Sequence, residues 1–484
     1  MNPFKSLFKN TFIYGLATVL PRMLSFLLVP LYTDVFSEAG YGLLNIIFSY
    51  VIFLNVILSY GMETTVFRFY SDTKKNSKVV STASISMMFT SILFLVLAFT
   101  FKTEIVNFTG IKSEYLELIL FFLFLDALCV IPFAYLRLKK KATQYAQIKL
   151  INVVVNLGLN VFLLVGLPVW KTDFSFLEQL YFNDYNINYI LISLVIASSI
   201  TLLLLSPFFF KLKYQFDTKL WKSMLKYSLP ILIAGLAFSI NETLDKLLLN
   251  YILPEDIAKA QVGVYSACYK LSVFMTLFAT AYRLGVEPFF FSHAQTENPK
   301  KAYALITKYF SILGILILLS VVVFIDYLKL FISKEGFYDA LSIVPILLLA
   351  NLCLGIYHNL SVWYKVTDRT KFGAFISSIG AILTLVINFI FIPIYGFMAS
   401  ATATLCAYGT MMILSYLLGQ KYYKINYPVK RLSLYFVVGI SFTGLYFYQL
   451  RDYFWLGLIF ISIYLLMIYK LEKKELLYYI KKQS

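Results

Sequence analysis

The chain has 484 residues, 60% of them hydrophobic and 14% charged, with a mean hydropathy of +0.77 and a formal net charge of +17. That composition lies far outside the range of a soluble domain. It excludes a basic nucleic-acid-binding protein, because no soluble stretch carries the charge, and it predicts an all-α polytopic membrane protein.

A helix needs about 20 apolar residues to cross the hydrocarbon core. The sequence predicts fourteen such spans. A short basic lead, residues 1–10, precedes the first apolar run. That run is too long for a signal-peptide core and has no small-x-small cleavage site, so it is expected to stay as an anchor. Spans 11–33, 42–67, 80–101, 116–136, 145–167 and 189–210 form one predicted six-helix lobe over 1–210. Spans 227–253, 262–291, 303–325, 340–362, 372–394 and 397–418 form a second over 211–420. The last two, 432–450 and 453–468, lie in 421–484 with a basic tail.

The connections test this count, because basic residues gather on the cytoplasmic side. With both termini cytoplasmic, thirty of the 42 Lys and Arg fall in the cytoplasmic pieces and seven in the opposite loops. The remaining five, Arg22, Lys149, Lys246, Lys270 and Arg283, lie deeper within spans; Lys308, near the start of the ninth, is counted with the loop before it. Most of the net charge therefore reflects topology.

Cys129, Cys268, Cys353 and Cys406 stand at unrelated spacings, and His293 and His358 are far apart. Neither a disulfide framework nor a metal site is implied. The sequence has no P-loop, no Gly-rich nucleotide fingerprint and no nucleophile motif, so neither catalysis nor ATP-driven transport within this chain is expected, and no cofactor.

Apart from Glu117 and Lys308 close to span ends, ten charged residues lie inside the spans: Arg22, Glu63, Asp126, Lys149, Glu242, Asp245, Lys246, Lys270, Arg283 and Glu287. Each costs about 2.5 to 3.5 kcal/mol at mid-helix, less near an end. They must pair, face water, or snorkel to the surface. Glu63, Lys149, Arg283 and Glu287 lie near cytoplasmic ends, where snorkelling is open to them; Arg22 and Asp126 lie near mid-span, where it is less so. Asp245 could pair with Lys270, or Glu242 with Lys246 one turn along the same helix. Asn152, Asn156 and Asn160 form a polar stripe on the fifth span. Eight of the ten charges fall on spans one, two, seven and eight, the pattern expected if two six-helix repeats each give their first two helices to a shared polar cavity.

Such a cavity suits a lipid-linked sugar. Arg22, Lys246, Lys270 and Arg283 could hold diphosphate oxygens, arginine in bidentate fashion. Asparagine, serine and tyrosine suit sugar hydroxyls. Glu63, Asp126, Glu242 and Asp245 could exchange a proton or sodium ion, or gate. Pro21, Pro30, Pro230, Gly235, Gly285 and Pro288 are either hinges or ordinary kinks.

Four stretches carry a family resemblance: Leu20-Pro21-Arg22 with Pro30-Leu31-Tyr32-Thr33 and Ala39-Gly40-Tyr41-Gly42; Arg137 with the basic loop to Tyr145; Gly263-Val264-Tyr265-Ser266 with Tyr269-Lys270-Leu271; and Asn388 with Ile392-Pro393-Ile394-Tyr395-Gly396 and the segment 399–404. On these the chain resembles the polysaccharide transporter branch of the multidrug/oligosaccharidyl-lipid/polysaccharide exporter superfamily, over essentially its whole length. The resemblance implies two pseudo-symmetric six-helix lobes in a V plus two terminal helices, with helices one, two, seven and eight lining the cavity and Arg22 at the position of a first-helix arginine. It implies a flippase of the inner membrane that moves an undecaprenyl-pyrophosphate-linked oligosaccharide to the outer leaflet by alternating access, for O-antigen, capsule or exopolysaccharide. A cation gradient is the implied drive, and polysaccharide polymerases or glycosyltransferases are the implied partners.

Three alternatives stand beside it. A lipid II flippase fits the same features. A multidrug cation antiporter should have a cavity dominated by acids and twelve helices. A membrane polymerase or ligase needs a large outer loop, and the longest here, near 170–188, is short.

Overall fold

A computed structural model describes residues 26–72, 76–293, 299–367, 369 and 371–483, with side chains outside 71–76, 284–298 and 474–484. Among these residues the chain is helices and their connections, with no strand. That follows from the solvent: hydrocarbon offers no hydrogen bonds, so each backbone must satisfy itself. Twelve helices are long and apolar enough to cross a membrane, thirteen if one bent pair is a single span. The chain is a multi-pass membrane protein. The predicted span 11–33 falls mostly outside the described residues, which leaves the count of fourteen one span short.

Contacts gather the chain into two units, Met1–Asn250 and Tyr251–Ser484. The first contains α1 (Val29–Val35), α2 (Glu38–Ser59), α3 (Met62–Asp72), α4 (Asn76–Thr100), α5 (Lys102–Thr109), α6 (Ser113–Leu138), α7 (Ala142–Val161), α8 (Asn186–Lys211) and most of α9 (Thr218–Ile252). α6 packs against α2, α3, α4, α7 and α8. Its buried face, through Leu123, Ala127, Cys129 and Phe133, meets Ile148 of α7 and Leu205 of α8.

Local sequence explains two irregularities. The Ser37 hydroxyl caps α2 by accepting from Gly40 N at 3.2 Å. That helix breaks at Tyr60 (φ 31°) and Gly61 (φ 69°), before α3 resumes. A Cβ on Gly61 would stand 2.8 Å from Ile231 Cβ of α9, so only glycine permits both this turn and this approach. α7 widens into a π-turn at Phe162–Gly166. Pro168, two residues on, has no N–H for the regular ladder, and the extra residue in the turn absorbs the mismatch.

The second unit contains α10 (Glu255–Leu271), α11 (Val273–His293), α12 (Pro299–Val323), α13 (Ile343–Leu360), α14 (Lys371–Tyr395), α15 (Phe397–Tyr422), α16 (Val429–Leu445) and α17 (Phe454–Gln483). Its centre is α13, the most deeply covered span, against α11, α12 and α15. The single eighth span expected over 262–291 is instead the pair α10 and α11, bent by 49° at Ser272. The bend is satisfied locally: Ser272 Oγ donates to Tyr269 O at 2.7 Å and accepts from Asn351 Nδ2 of α13 at 3.4 Å.

The terminal hairpin α16–α17 lies along α12. A Cβ on Gly439 would stand 2.1 Å from Ile315 Cγ2, so the glycine sets how closely α16 approaches. Tyr446 and Tyr464 donate to the carbonyls of Val323 and Ile312 at 3.2 and 3.3 Å. At one end Arg451 forks onto Asp326 through Nε and Nη2, both at 2.8 Å. At the other, Lys308 meets Glu472 at 2.6 Å. Lys308 thus departs from its expected place among the loop bases: it lies inside α12, buried.

Candidate functional site

The intramembrane charges are the site the sequence nominates, and the structure gives each a different setting. Arg22 lies outside the described residues. In the first unit, Glu63 on α3 accepts from Arg137 Nη1 of α6 at 2.5 Å, with both side chains 42% exposed. Arg137 also lies 4.9 Å over the Phe67 ring. Glu63 is therefore half of a tie between the start of α3 and the end of α6.

Asp126, midway along α6, is half-buried and accepts from Asn55 Nδ2 of α2 at 3.0 Å. This is a charge-assisted hydrogen bond between neighbouring helices. The asparagine stripe on α7 is likewise engaged. Tyr32 donates to Asn160 Oδ1 at 2.9 Å, Asn160 Nδ2 donates to Asn156 O and Oδ1, and Asn152 donates to Thr201 Oγ1 of α8 at 2.9 Å. Lys149, two turns into that helix, has its ammonium 4.3 Å over the Phe133 ring.

α9 carries the densest cluster. Asn241 and Asp245 are buried, and Glu242 and Lys246 half-buried, beside the buried hydroxyls of Ser239 and Thr243. Lys246 does not pair with Glu242 one turn back. Its ammonium and its backbone N–H both go to Asp245 Oδ1, at 3.3 and 2.8 Å. The short aspartate reaches its own neighbour, and its carboxylate is almost wholly removed from solvent at 3% exposure. A buried pair of this kind costs desolvation that its attraction only partly returns.

In the second unit Lys270 is the penultimate residue of α10, half-buried, two residues before the 49° bend at Ser272. Arg283 on α11 is exposed. The side chain of Glu287 lies outside the described residues. Cys129, Cys268 and Cys353 are buried and unbridged. Among the described residues no three metal-ligating side chains gather.

Residue-by-residue reading missed three groups. Asn55, the partner of Asp126, gave no signal beyond being polar in an apolar run. Lys308 was legible, since it stands nine residues into a helix, but its nearness to Lys300 and Lys301 drew it into the loop. Glu472 was masked by the five lysines around it in the tail. It is fully buried, accepts from Lys308 and from Tyr435 OH at 3.1 Å, and lies 3.9 Å from Arg431.

Solved structures give the architecture a precedent. The chain is similar to a lipid II flippase, MurJ, in an inward closed conformation, with a TM-score of 0.74 at 15% identity, covering 96% of this chain and 100% of that one. It is similar to an inward-facing multidrug resistance MATE family transporter of the MOP superfamily, with a TM-score of 0.64 at 12% identity, covering 87% and 95%. The Vibrio cholerae MATE transporter VcmN aligns with a TM-score of 0.59 at 15% identity, covering 89% and 98%. At these identities the likeness is one of fold. No curated protein matches the chain. A family model described as "Polysaccharide biosynthesis protein" matches residues 7–286, more than half of the chain, and the protein belongs to that family.

Proposed function

We propose that the protein is a secondary-type flippase that carries an undecaprenyl-pyrophosphate-linked oligosaccharide unit from the cytoplasmic to the outer leaflet of the inner membrane, for surface polysaccharide synthesis. The observation that carries this reading is the charged cluster of α9, with Asp245 buried and Lys246 half-buried in a membrane span, in a chain of the polysaccharide biosynthesis family. Charges at that depth are costly and are retained where a polar cargo or ion passes. The cargo's polyprenyl tail can remain in lipid, while its diphosphate and sugar cannot cross hydrocarbon unaided.

In this reading Arg22, Lys246, Lys270 and Arg283 are bases for the diphosphate. Glu242 and Asp245 are the acids placed to answer them as a proton or sodium ion exchanges. Glu63 and Asp126 are already held by Arg137 and Asn55, which suits a gating role better than cargo binding. Transport is by alternating access, with both termini cytoplasmic and polysaccharide polymerases or glycosyltransferases as neighbours. No catalytic step is assigned to the chain.

A lipid II flippase is the second reading, favoured by the 0.74 TM-score to a protein of that function. A genetic test separates them. Loss of the protein should abolish surface polysaccharide and leave its lipid-linked unit on the cytoplasmic leaflet, with peptidoglycan growth intact. Arrested peptidoglycan synthesis with normal surface polysaccharide would reverse the assignment.

A further inference from the structure

The basic residues at the cytoplasmic ends of α3 and α6 are set in place rather than merely present. Topological bias asks only for positive charge somewhere in the loop. Here Arg137 is fixed between Glu63 and the Phe67 ring. Arg68 lies 4.9 Å over the Tyr227 ring of α9. Lys139 stands between two rings, 5.7 Å from Tyr70 and 5.6 Å from Tyr135. A hydrogen bond with the Tyr70 hydroxyl raises the Lys139 ammonium above its ordinary range. These ties join the end of α3 to the end of α6.

The loop itself is a tight turn. Lys139, Lys140 and Lys141 N–H groups donate to the carbonyls of Tyr135, Arg137 and Leu136 at 2.9, 3.0 and 2.9 Å. Lys140 takes the left-handed conformation (φ 55°), unusual for a side chain with a Cβ. Arg68, Arg137, Lys139, Lys140 and Lys141 are all exposed, so five cations on ordered supports line one rim, with Glu63 beside Arg137.

We propose that this rim of the first unit is a binding site for phosphate-bearing lipid headgroups at the cytoplasmic surface. An ammonium or guanidinium resting on a ring keeps its outward N–H groups free for phosphate oxygens, and its side-chain entropy is already spent. Juxtamembrane basic clusters attract anionic headgroups on this leaflet. The chemistry suits two sources, the diphosphate of a polyprenyl-linked cargo arriving by lateral diffusion or the phosphate of a bulk anionic phospholipid. The cargo identity rests on the flippase reading; the binding does not.

The test measures binding without transport. The full chain, purified in detergent, is titrated with undecaprenyl diphosphate and separately with phosphatidylglycerol, and bound lipid is read by native mass spectrometry. K139Q/K140Q/K141Q should weaken retention about tenfold or more. Tyr70→Phe, which alters no charge and keeps the ring, should weaken it by about two- to fivefold through loss of the hydroxyl that orients Lys139. K421Q/K424Q/K430Q, an equal charge loss on the other unit, should leave it within about twofold. Tighter retention of undecaprenyl diphosphate identifies the cargo as the source, and equal retention of phosphatidylglycerol identifies bulk lipid; either supports the site. Equal losses from the two triple variants, or none from the first, overturn it. Where the first triple variant fails to insert, unchanged retention by Tyr70→Phe overturns it instead.

Discussion

Lys308 Nζ and Glu472 Oε2 lie 2.6 Å apart with side-chain exposures of 3% and 0%, which makes this the most deeply buried ion pair among the described residues. It joins α12 to the last helix, and Tyr435 OH adds a third contact on the carboxylate. Together with Arg451 and Asp326 at the opposite end of α12, it holds the terminal hairpin at two heights. The hairpin is a fixed part of the second unit.

Breaking this pair on one side strands a buried charge. Lys308→Met or Glu472→Gln should each destabilise the protein by about 3–5 kcal/mol. The double variant K308M/E472L, which removes both charges, should recover most of that loss. Thermal unfolding of the purified protein in detergent reads all three. A double variant no more stable than the singles would mean that the pair's surroundings, rather than the orphaned charge, set the cost.

At the break in the second span, Gly61→Ala imposes a Cβ at positive φ and against Ile231. The expected loss is about 1–3 kcal/mol. Adding Ile231→Ala removes the Cγ2 contact at 2.9 Å but leaves the Ile231 Cβ at 2.8 Å, the Ser228 carbonyl at 3.0 Å and the backbone strain, so rescue should be slight. Full rescue would show that φ at Gly61 is of no consequence.

The Asp326 contact should give the hairpin a dependence on acid. Hydrogen bonding from Arg451, the largest cause, holds the Asp326 carboxyl below its ordinary value of 3.8, against the opposing effect of burial. A depressed carboxyl stabilises the fold at pH above its unfolded-state value, and that contribution is lost as pH falls through the lower folded-state value. Unfolding temperature should therefore drop more steeply below about pH 4 in the native protein than in Asp326→Asn. Parallel curves would remove Asp326 from the account. With the side chain about a third exposed, solvent screening keeps the effect small.

The Glu63 and Arg137 pair, at 42% exposure on each side, should matter little to stability. Glu63→Gln is expected to cost less than about 1 kcal/mol. Any larger loss of polysaccharide export in that variant would then report on gating, and unchanged export would assign Glu63 a purely structural role.

Much of the fold was legible because hydropathy counts spans directly. Spans two through seven and nine through fourteen fall close to the helices observed. What escaped was tertiary. The 49° bend at Ser272 depends on Asn351 of another helix, and no local proline or glycine marks it. The candidate site was legible as residue types and less so as partners: Asp245 and Lys246 are sequence neighbours that pair directly, whereas the i,i+4 spacing favoured Glu242. Lys308 and Glu472 stand 164 residues apart, beyond the reach of periodicity.

The most direct test of the central claim is flipping by the purified chain in proteoliposomes. An undecaprenyl-pyrophosphate-linked oligosaccharide, placed on one leaflet, is followed by its exposure to an external glycan-cleaving enzyme. The account predicts exposure much faster than in protein-free vesicles, slowed by Lys246→Ala and by collapse of the cation gradients. Exposure at the protein-free rate, in vesicles where the chain is inserted and folded, would contradict it.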